Sequence, residues 1–350
     1  MKNQLYLFLV AVLLWSCATT PENDDVQPVT RIAFGSCGFQ DQPQPVLRLA
    51  AEQQPDAFVF LGDNIYGDTH NMDTLRNKYG RWMAKPEYQA LKDSTVILAT
   101  WDDHDYGWND SGRHYPEKEA SKAIFLEVFE VPEADERYSR PGIYTDYVLE
   151  AGDKKVQIIL LDTRTFRDDL RPYGGQEVDT VAFHYDLGYW PYETGDSTML
   201  GETQWAWLGK ALEKPADLRI IGSSTQFGIT YNGYEAWANF PHEQKRMLEL
   251  IKAKKANGVV FISGDVHYAE VSKVDYPGLY PIYDVTSSGI TSTWGFATPN
   301  DHRIQGPVME NHFGLLEIDW EKGQLRMKII DVTGKERFTE VEAYDRLVKW

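Results

Sequence analysis

Six short apolar stretches, each followed directly by a polar turn, are the feature of this sequence that most restricts its fold. They cover residues 31–34, 57–61, 95–99, 156–161, 218–221 and 259–262. Each stretch is apolar almost throughout, which is typical of strands buried on both faces of a sheet. Segments with helical character lie between them, at residues 45–54, 75–92, 117–129, 202–213 and 241–255. This alternation predicts an α/β fold with mostly parallel strands and with ligands at the strand carboxyl ends.

The carboxyl-terminal part of the chain has a different pattern. Residues 314–320, 324–332 and 336–342 are separated by short glycine-containing turns. Such spacing predicts an antiparallel meander of three strands. Because no repeat, low-complexity stretch or linker interrupts the sequence after residue 30, we expect one domain over residues 30–350.

The charge balance limits the partners of the chain. Its 350 residues include 35 Lys and Arg against 53 Asp and Glu, which gives a formal net charge of −18. Electrostatic binding to nucleic acid or to anionic lipid headgroups is therefore not expected. The acidic excess has two interpretations, a solvated acidic surface or carboxylates gathered around bound cations.

The first residues predict export. Residues 1–16 have a short positive start and an apolar run at 5–15, which suits a signal peptide and is too short to span a bilayer. Cys17 follows a small residue at the end of this run, as in a bacterial lipobox. Cleavage before Cys17 and lipidation of its thiol would leave residues 17–29 as a tether, with membrane contact only through the lipid. The alternative is a plain signal peptide with an incidental cysteine. We expect a cell-envelope lipoprotein, on the periplasmic face or the outer surface.

The chain has only two cysteines, Cys17 and Cys37. If Cys17 carries lipid, Cys37 has no disulfide partner in an oxidising compartment. A lone thiol in that setting is either buried and inert or a metal ligand.

Two of the polar turns place a carboxylate next to glycine. Asp63 follows Gly62 and the strand at 57–61, and Asp265 follows Gly264 and the strand at 259–262, with His267 two residues later. A carboxylate just past a buried strand, with glycine beside it, allows close approach of a ligand and suits a hard cation.

A third turn holds Asp102, Asp103, His104 and Asp105 in succession. Three unpaired acids at one strand end would repel one another and raise some of their pKa values. Divalent or trivalent cations remove this penalty, and two metals about 4 Å apart can hold the attacking and leaving oxygens of an in-line displacement at phosphorus. His104, with Asp105 beside it, can then donate a proton to the leaving oxygen.

Taken together and in order, these motifs resemble a known family. They are Gly-Ser-Cys at 35–37, Gly-Asp-x-x-Tyr at 62–66, Trp-Asp-Asp-His-Asp at 101–105, Leu-Asp-Thr-Arg at 161–164 and Gly-Asp-x-His at 264–267. Over residues 30–330 the sequence is similar to the PhoD-like alkaline phosphatases of the metallophosphoesterase superfamily. The resemblance implies a four-layer αββα sandwich of two mixed β-sheets flanked by helices. It also implies hydrolysis of phosphate esters by a hydroxide that a binuclear metal centre activates.

The same resemblance implies a set of metal ligands. Cys37 and Tyr66 would bind Fe³⁺, with Asp63 bridging to Ca²⁺ and with Asp265 and His267 completing the centre. Thiolate and phenolate together suit iron better than zinc or magnesium. Other divalent metals stay open as alternatives.

Further roles follow from the resemblance. Asp102 and Asn109 match a calcium-binding pair, and residues 103–105 would lie at or just behind the phosphate. Arg164 has two interpretations, a clamp on two phosphate oxygens or an ordinary salt bridge. The aromatic loops at 185–192 and 294–296 could line the cleft, touch a lipid or sugar, or pack in the core, and Asn311 with His312 could approach the metals.

Two other functions compete with a phosphatase of broad specificity. One is a strict phosphodiesterase that acts on phospholipid, teichoic-acid-like or nucleotide diesters. The other is a surface lipoprotein that binds glycans or phosphate without catalysis and whose metals are structural.

Overall fold

The strands form two mixed sheets in residues 29–350, the part of the chain that the computed structural model describes. Their bounds are β1 (Val29–Gly35), β2 (Ala57–Leu61), β3 (Val96–Thr100), β4 (Thr145–Ala151), β5 (Lys154–Leu160), β6 (Leu218–Ser223), β7 (Val259–Ser263), β8 (Ala269–Val274), β9 (Ile282–Ser287), β10 (Arg303–Val308), β11 (His312–Asp319), β12 (Gln324–Asp331) and β13 (Glu336–Ala343). The first sheet has the order β13-β12-β11-β1-β2-β3, and the second has the order β10-β8-β9-β7-β6-β5-β4.

The six strands predicted from apolar stretches form two groups of three parallel strands. β1 pairs with β2 and β2 with β3, while β5 pairs with β6 and β6 with β7. The mixed character comes from strands that join these parallel groups. β11 to β13 form the predicted meander and add to β1 antiparallel. β4 and β8 are antiparallel additions to the second sheet that the sequence pattern did not reveal.

Seven α-helices connect the strands within residues 29–350. Their bounds are α1 (Pro45–Glu52), α2 (Met72–Met83), α3 (Pro86–Ser94), α4 (Asp103–Tyr106), α5 (Lys118–Val128), α6 (Gly201–Ala211) and α7 (Pro241–Ala253). The expectation of one helix over residues 75–92 is wrong, because Pro86 occupies the first turn of α3. Proline has no backbone N–H to donate to a preceding turn, so the helix ends at α2 and restarts.

The alternation of side chains along β2 shows how the layers stack. Val59 and Leu61 belong to an apolar core shared with residues of the second sheet, such as Ile220. Phe58 and Phe60 point the other way, into a core shared with α1, α2, α3 and α5. Because α6 and α7 pack on the second sheet, the order of layers is helix, sheet, sheet, helix. The predicted αββα class is confirmed.

The predictions for the leader, for Cys17 and for most of the tether concern residues that lie outside the described range. Within residues 29–350, no helix combines the length and the apolar character needed to cross a bilayer. Cys37 is buried and takes part in no disulfide there.

Candidate metal centre

The carboxyl ends of the two sheets meet at one place. Ser36, just past β1 in the first sheet, bridges to Ser288, just past β9 in the second sheet. The backbone N–H of Ser36 donates to the Ser287 carbonyl at 3.1 Å. The turns that follow β1, β2, β3 and β7, which carry the predicted metal ligands, are therefore neighbours in space.

Two glycines permit this close approach. Gly62 has φ of 99°, and a Cβ added there would lie 2.4 Å from Cβ of Asp102. A Cβ on Gly264 would lie 2.3 Å from Oγ of Ser36. Both separations are too short for any side chain, so glycine beside each metal-side aspartate lets neighbouring turns pack against one another.

Four carboxylates, of which that of Asp265 is partly exposed and the others are buried, form the centre of the site. Oxygens of Asp63, Asp102, Asp103 and Asp265 all lie within 4.8 Å of one another. Oδ1 of Asp63 and Oδ2 of Asp102 are buried and accept no hydrogen bond within the described residues. Buried anionic oxygens without a partner are costly, and a bound cation is the usual compensation. The donor set therefore fits hard cations.

The titration behaviour of these acids reflects the same crowding. Burial, together with the neighbouring carboxylates, holds the pKa values of Asp63 and Asp265 well above the ordinary range. Burial raises the pKa of Asp102 to about 8, although the Arg164 guanidinium opposes this effect. Burial also opposes ionisation of Asp103, but Arg164 and His104 lower the pKa of that carboxyl below its usual value. Without added positive charge, the cluster does not ionise fully near neutral pH.

Cys37 and Tyr66 lie at one side of this cluster. The Sγ atom of Cys37 is 3.3 Å from Oδ2 of Asp63 and 3.1 Å from Oγ of Ser288. The hydroxyl of Tyr66 is buried without a hydrogen-bond partner in the described part of the chain. Burial and nearby acids raise the pKa values of both groups. A thiolate and a phenolate form in such a setting when a metal ion supplies the compensating charge.

His267 is arranged as a neutral ligand. Its Nδ1 donates to the Ser292 carbonyl at 3.0 Å, which leaves Nε2 unprotonated. Its backbone N–H donates to Oγ of Ser288 at 2.8 Å, and Ser288 also contacts Cys37. Burial lowers the pKa of His267. A hydrogen bond that fixes the tautomer is the usual companion of a metal-binding imidazole.

The backbone at these ligands is unusual. Cys37, Asp63, Asp265 and His267 have φ values of 61°, 49°, 75° and 57°. Residues other than glycine rarely adopt positive φ, and such conformations concentrate at functional sites. The fold therefore holds these side chains in place at some conformational cost.

His104 lines a cavity of about 170 Å³ together with Asp103, Asp265 and His267. Its Nδ1 lies 2.8 Å from Oδ1 and 2.9 Å from Oδ2 of Asp68. Burial disfavours the charged imidazole, but Asp103 and Asp68 raise the pKa of His104 to about 9. The sequence reasoning did not find Asp68. The only local signal was its position in the Gly67-Asp68 turn that extends the Gly62–Gly67 motif.

Asp105 does not line this cavity. Its Oδ1 accepts the backbone N–H groups of Asp102 at 2.6 Å and of Asp63 at 3.2 Å. Its Oδ2 accepts from Nδ2 of Asn64 at 2.5 Å and from the Tyr79 hydroxyl at 3.3 Å. Asp105 thus lies behind the carboxylate cluster, where it orients the turns that carry Asp63 and Asp102.

Arg164 forms ion pairs inside the protein. Its Nε donates to Oδ1 of Asp102 at 2.5 Å, and its Nη1 lies 2.7 Å from Oε2 of Glu235. The side chain is 0% exposed. Of the two interpretations of Arg164, the structure therefore favours the salt bridge over the phosphate clamp.

The loop after α4 contributes a second acidic cluster. Asn109 lines the cavity, and its backbone N–H donates to Oδ1 of Asp68 at 3.2 Å. Oxygens of the next residue, Asp110, and of Asp103 and Glu235 lie within 4.8 Å of one another. Sequence reasoning missed Asp110 and Glu235. Glu235 follows no strand and matches no motif, so only the folded chain identifies it.

Aromatic side chains form part of the wall of the cavity that contains His104. Tyr189, Tyr234 and Trp294 line the cavity, so the two aromatic loops contribute to the cleft. Trp294 also stacks on Phe296 with ring centroids 5.3 Å apart. His312, in contrast, is buried away from the cavity, and its Nδ1 donates to the Glu310 carbonyl at 2.7 Å.

A helix–sheet–sheet–helix sandwich with an acidic, thiol- and imidazole-bearing centre at the joined carboxyl ends defines the metallophosphoesterase class of folds. Within that class, the family model described as PhoD-like phosphatase matches residues 32–326. The chain belongs to the PhoD-like phosphatase family, as the sequence motifs predicted.

Individual relatives agree with this assignment. Alkaline phosphatase D of Bacillus subtilis (strain 168) is 24% identical over 302 residues, which cover 75% of this chain and 49% of that protein. The chain thus spans about half the length of this curated relative.

Solved structures are similar in fold. The structure of PhoD has a TM-score of 0.67 at 20% identity, over 90% of this chain and 68% of that one. GAP50, described as the anchor in the inner membrane complex of Plasmodium, has a TM-score of 0.50 at 14% identity, over 89% of this chain and 88% of that one.

Proposed function

We propose that the protein is a metal-dependent phosphoric ester hydrolase. The observation that carries this proposal is the cluster of Asp63, Asp102, Asp103 and Asp265. Asp63 and Asp102 each have a buried oxygen without a partner among the described residues, while Asp103 and Asp265 line one cavity with His104. Membership of the PhoD-like phosphatase family supports the same reaction.

The donor set suggests how cations would be held. Cys37, Tyr66, Asp265 and His267 would bind Fe³⁺, and Asp63 would be shared between Fe³⁺ and Ca²⁺. Asp102 would bind Ca²⁺. Asn109, the other member of the predicted calcium-binding pair, lines the cavity that contains His104. When bound, such cations neutralise the carboxylates, polarise the phosphate and lower the pKa of water. A buried thiol and phenol favour iron over magnesium, while the carboxylate oxygens suit calcium.

The remaining steps fall to the protein itself. Asp68 accepts from Nδ1 of His104 and directs the rest of the imidazole toward the cavity. His104 would bind a phosphate oxygen and donate a proton to the leaving alcohol. Asp105 keeps the turns of Asp63 and Asp102 in position through its backbone hydrogen bonds.

The experiment that tests this proposal is His104→Ala, assayed with a chromogenic aryl phosphate. Loss of a general acid lowers kcat by about 100- to 10,000-fold. Metal content, measured by elemental analysis, should not change. The matched control is His184→Ala, since His184 is exposed and does not line the cavity. Unchanged turnover in His104→Ala would overturn the role assigned to His104, whereas absence of turnover in the wild type would favour the non-catalytic alternative.

The choice between a broad phosphatase and a strict phosphodiesterase concerns the second substituent on phosphorus. A chromogenic monoester and its diester, assayed side by side with calcium, separate the two. We expect turnover of both esters. Turnover of the diester alone would identify a strict phosphodiesterase.

We further propose that the protein is anchored to the cell envelope through lipid on Cys17. The apolar run at residues 5–15 and the Ser16-Cys17 junction support this proposal. Cys17→Ser should move the protein from the membrane fraction to the soluble fraction. Mass spectrometry of the native protein should find the lipid on a new amino-terminal Cys17. An unmodified cysteine in a membrane-free protein would contradict the proposal.

A further inference from the structure

A second, larger cavity opens beside the metal cavity. Its volume is about 470 Å³, and Asn109, Asp110 and Tyr189 line both spaces. A volume of several hundred Å³ is typical of small-molecule sites. A molecule bound by its phosphate in the metal cavity could therefore extend directly into this second space.

One wall of this larger cavity is a stack of rings. The His70 ring lies 5.5 Å from Trp108 with an interplanar angle of 16°. The same ring lies 5.3 Å from Tyr115 with an angle of 27°. Trp108 is 46% exposed, so much of its indole faces open space. An exposed aromatic ring that is held in a fixed orientation offers a flat surface on which the face of another ring can pack.

The polar side chains that line the larger cavity include hydrogen-bond acceptors, and none of them is permanently positive. No lysine or arginine lines the cavity, whereas Asp110 and Asp169 do. Asp169 accepts from His114 at 2.9 Å and keeps its second carboxylate oxygen available. A lining of this charge disfavours a second phosphate or another anion. Carboxylate oxygens accept hydrogen bonds, so they suit a ligand that is rich in hydroxyl donors.

Hydrogen bonds to neighbouring segments fix the conformation of the loop that carries Trp108. The backbone N–H of Asp110 donates to Oδ2 of Asp103 at 2.6 Å. The Arg113 N–H donates to the Arg167 carbonyl at 2.9 Å, and the Tyr106 hydroxyl donates to the Gly112 carbonyl at 3.1 Å. The surface is thus formed before a ligand arrives, which lowers the entropic cost of binding.

We propose that this cavity binds the uncharged, hydroxyl-rich ring of the substrate's alcohol, and that the substrate is a sugar phosphate ester. This inference rests on the proposed function, because it places the phosphate in the metal cavity. The lining favours a sugar over a nucleoside base, since a sugar ring presents several adjacent hydroxyl donors to Asp169 and to the oxygen of Asp110 that does not accept from the Tyr189 hydroxyl. Trp108 would pack against the face of the ring.

The binding test needs no catalysis. Saturation-transfer NMR with methyl α-glucopyranoside, methyl β-galactopyranoside and methyl N-acetylglucosaminide should give ligand signals with the purified full chain. Trp108→Ala should reduce these signals at least five-fold. Tyr138→Ala is the matched control, because Tyr138 is also exposed, at 44%, and lies outside the cavity. Absence of signal from all three sugars, equal signals in Trp108→Ala, or signals from adenosine alone would overturn the proposal.

A kinetic test links the cavity to the reaction. A hexose 6-phosphate and ethyl phosphate differ in the alcohol and share the phosphate monoester group. We expect kcat/KM to favour the hexose ester, and Trp108→Ala to lower this preference about ten-fold. A preference that Trp108→Ala leaves unchanged overturns the proposal. If neither ester is hydrolysed while the sugar signals depend on Trp108, the proposed hydrolase function fails and the sugar site stands.

Discussion

Two groups of buried acids, one within the second sheet and one where the carboxyl ends of both sheets meet, differ in how fully the surrounding chain satisfies them. Asp284 on β9 accepts from the backbone N–H groups of Phe227 at 2.9 Å and Gly228 at 2.7 Å and from Oγ of Ser263 at 2.7 Å. Its neighbour Glu270 pairs with Arg303 and also accepts from Asn300 at 2.6 Å. These acids have a full set of partners inside the protein.

Asp63 and Asp102 of the metal cluster are equally buried and are not fully satisfied. One oxygen each of Asp63 and Asp102 has no partner among the described residues, and both residues face further carboxylates. Burial is therefore not what separates a structural acid from a functional one. The difference is whether the surrounding chain completes the hydrogen bonds or leaves oxygens that converge on a common point.

The largest expected effect on activity comes from the metal cluster. Asp265→Asn should lower hydrolysis at least about 1,000-fold, equivalent to about 4 kcal/mol of transition-state stabilisation, because the proposed metal ligand is lost. Without bound metal, its free energy of unfolding should not fall, since an amide never places a negative charge among the neighbouring carboxylates. Steady-state assays and urea unfolding of chelator-treated protein check both parts. Activity above a tenth of the wild type would remove Asp265 from the centre.

The satisfied group should respond in stability. Glu270→Gln should lower the free energy of unfolding by about 3 kcal/mol, because the largely buried Arg303 guanidinium loses its ion partner. The activity of the folded fraction should stay near that of the wild type. Urea unfolding and kcat measured on one preparation test this expectation. Loss of kcat with an unchanged free energy of unfolding would show that Glu270 acts in function. It would contradict the distinction between satisfied and unsatisfied acids.

His312 has a single unpartnered atom that does not converge with others as the carboxylate oxygens of the metal cluster do. We expect it to affect only the pH dependence of stability. His312 is fully buried with Nε2 unpartnered, and burial lowers its pKa to about 4. The folded protein therefore resists protonating His312, so its stabilising effect is complete above about pH 6.5 and declines as the pH falls toward 4.

Between pH 7 and pH 5, this group should cost the wild type about 2 kcal/mol of unfolding free energy, and His312→Gln should remove that loss. Urea unfolding at both pH values, with the exposed His184→Gln as control, measures the difference. An identical pH dependence in His312→Gln would show that this imidazole is not held neutral.

The smallest effect is expected at the surface. Glu202, with a side chain 81% exposed, pairs with Arg246 at 2.6 Å. Exposed pairs contribute about 0–1 kcal/mol, so Glu202→Gln should change the free energy of unfolding by less than about 1 kcal/mol. The change should shrink further at high salt, and activity should stay constant. A loss above about 2 kcal/mol would mean that satisfied acids matter for stability irrespective of burial.

The sequence revealed much of the fold because its strongest signals are local. Near-continuous apolar strands such as 57–61 and 259–262 identified the parallel groups of both sheets. The division of α2 from α3 by Pro86 was not predicted, because the apolar spacing on either side of this proline is also typical of one continuous helix. The strand β4 was missed because its residues are only partly buried and lack a continuous apolar run.

For the site, the sequence predicted residues that lie directly after strands. Asp63, Asp102 and Asp265 are of this kind, and the structure brings their oxygens together. Glu235 lies in a loop far along the chain, and it reaches Arg164 and Asp103 only through tertiary packing. The contacts of Arg164 likewise depend on which acids surround it, so local sequence could not decide between clamp and salt bridge.

The most direct test of the account is elemental analysis of the purified protein combined with its visible absorption spectrum. The convergence of Cys37, Tyr66 and the unsatisfied carboxylates predicts stoichiometric iron and calcium and a colour from phenolate-to-iron charge transfer. Cys37→Ser and Tyr66→Phe should each alter that colour. Protein that binds no metal in stoichiometric amount, and that hydrolyses phosphate esters equally well after chelation, would contradict the central claim.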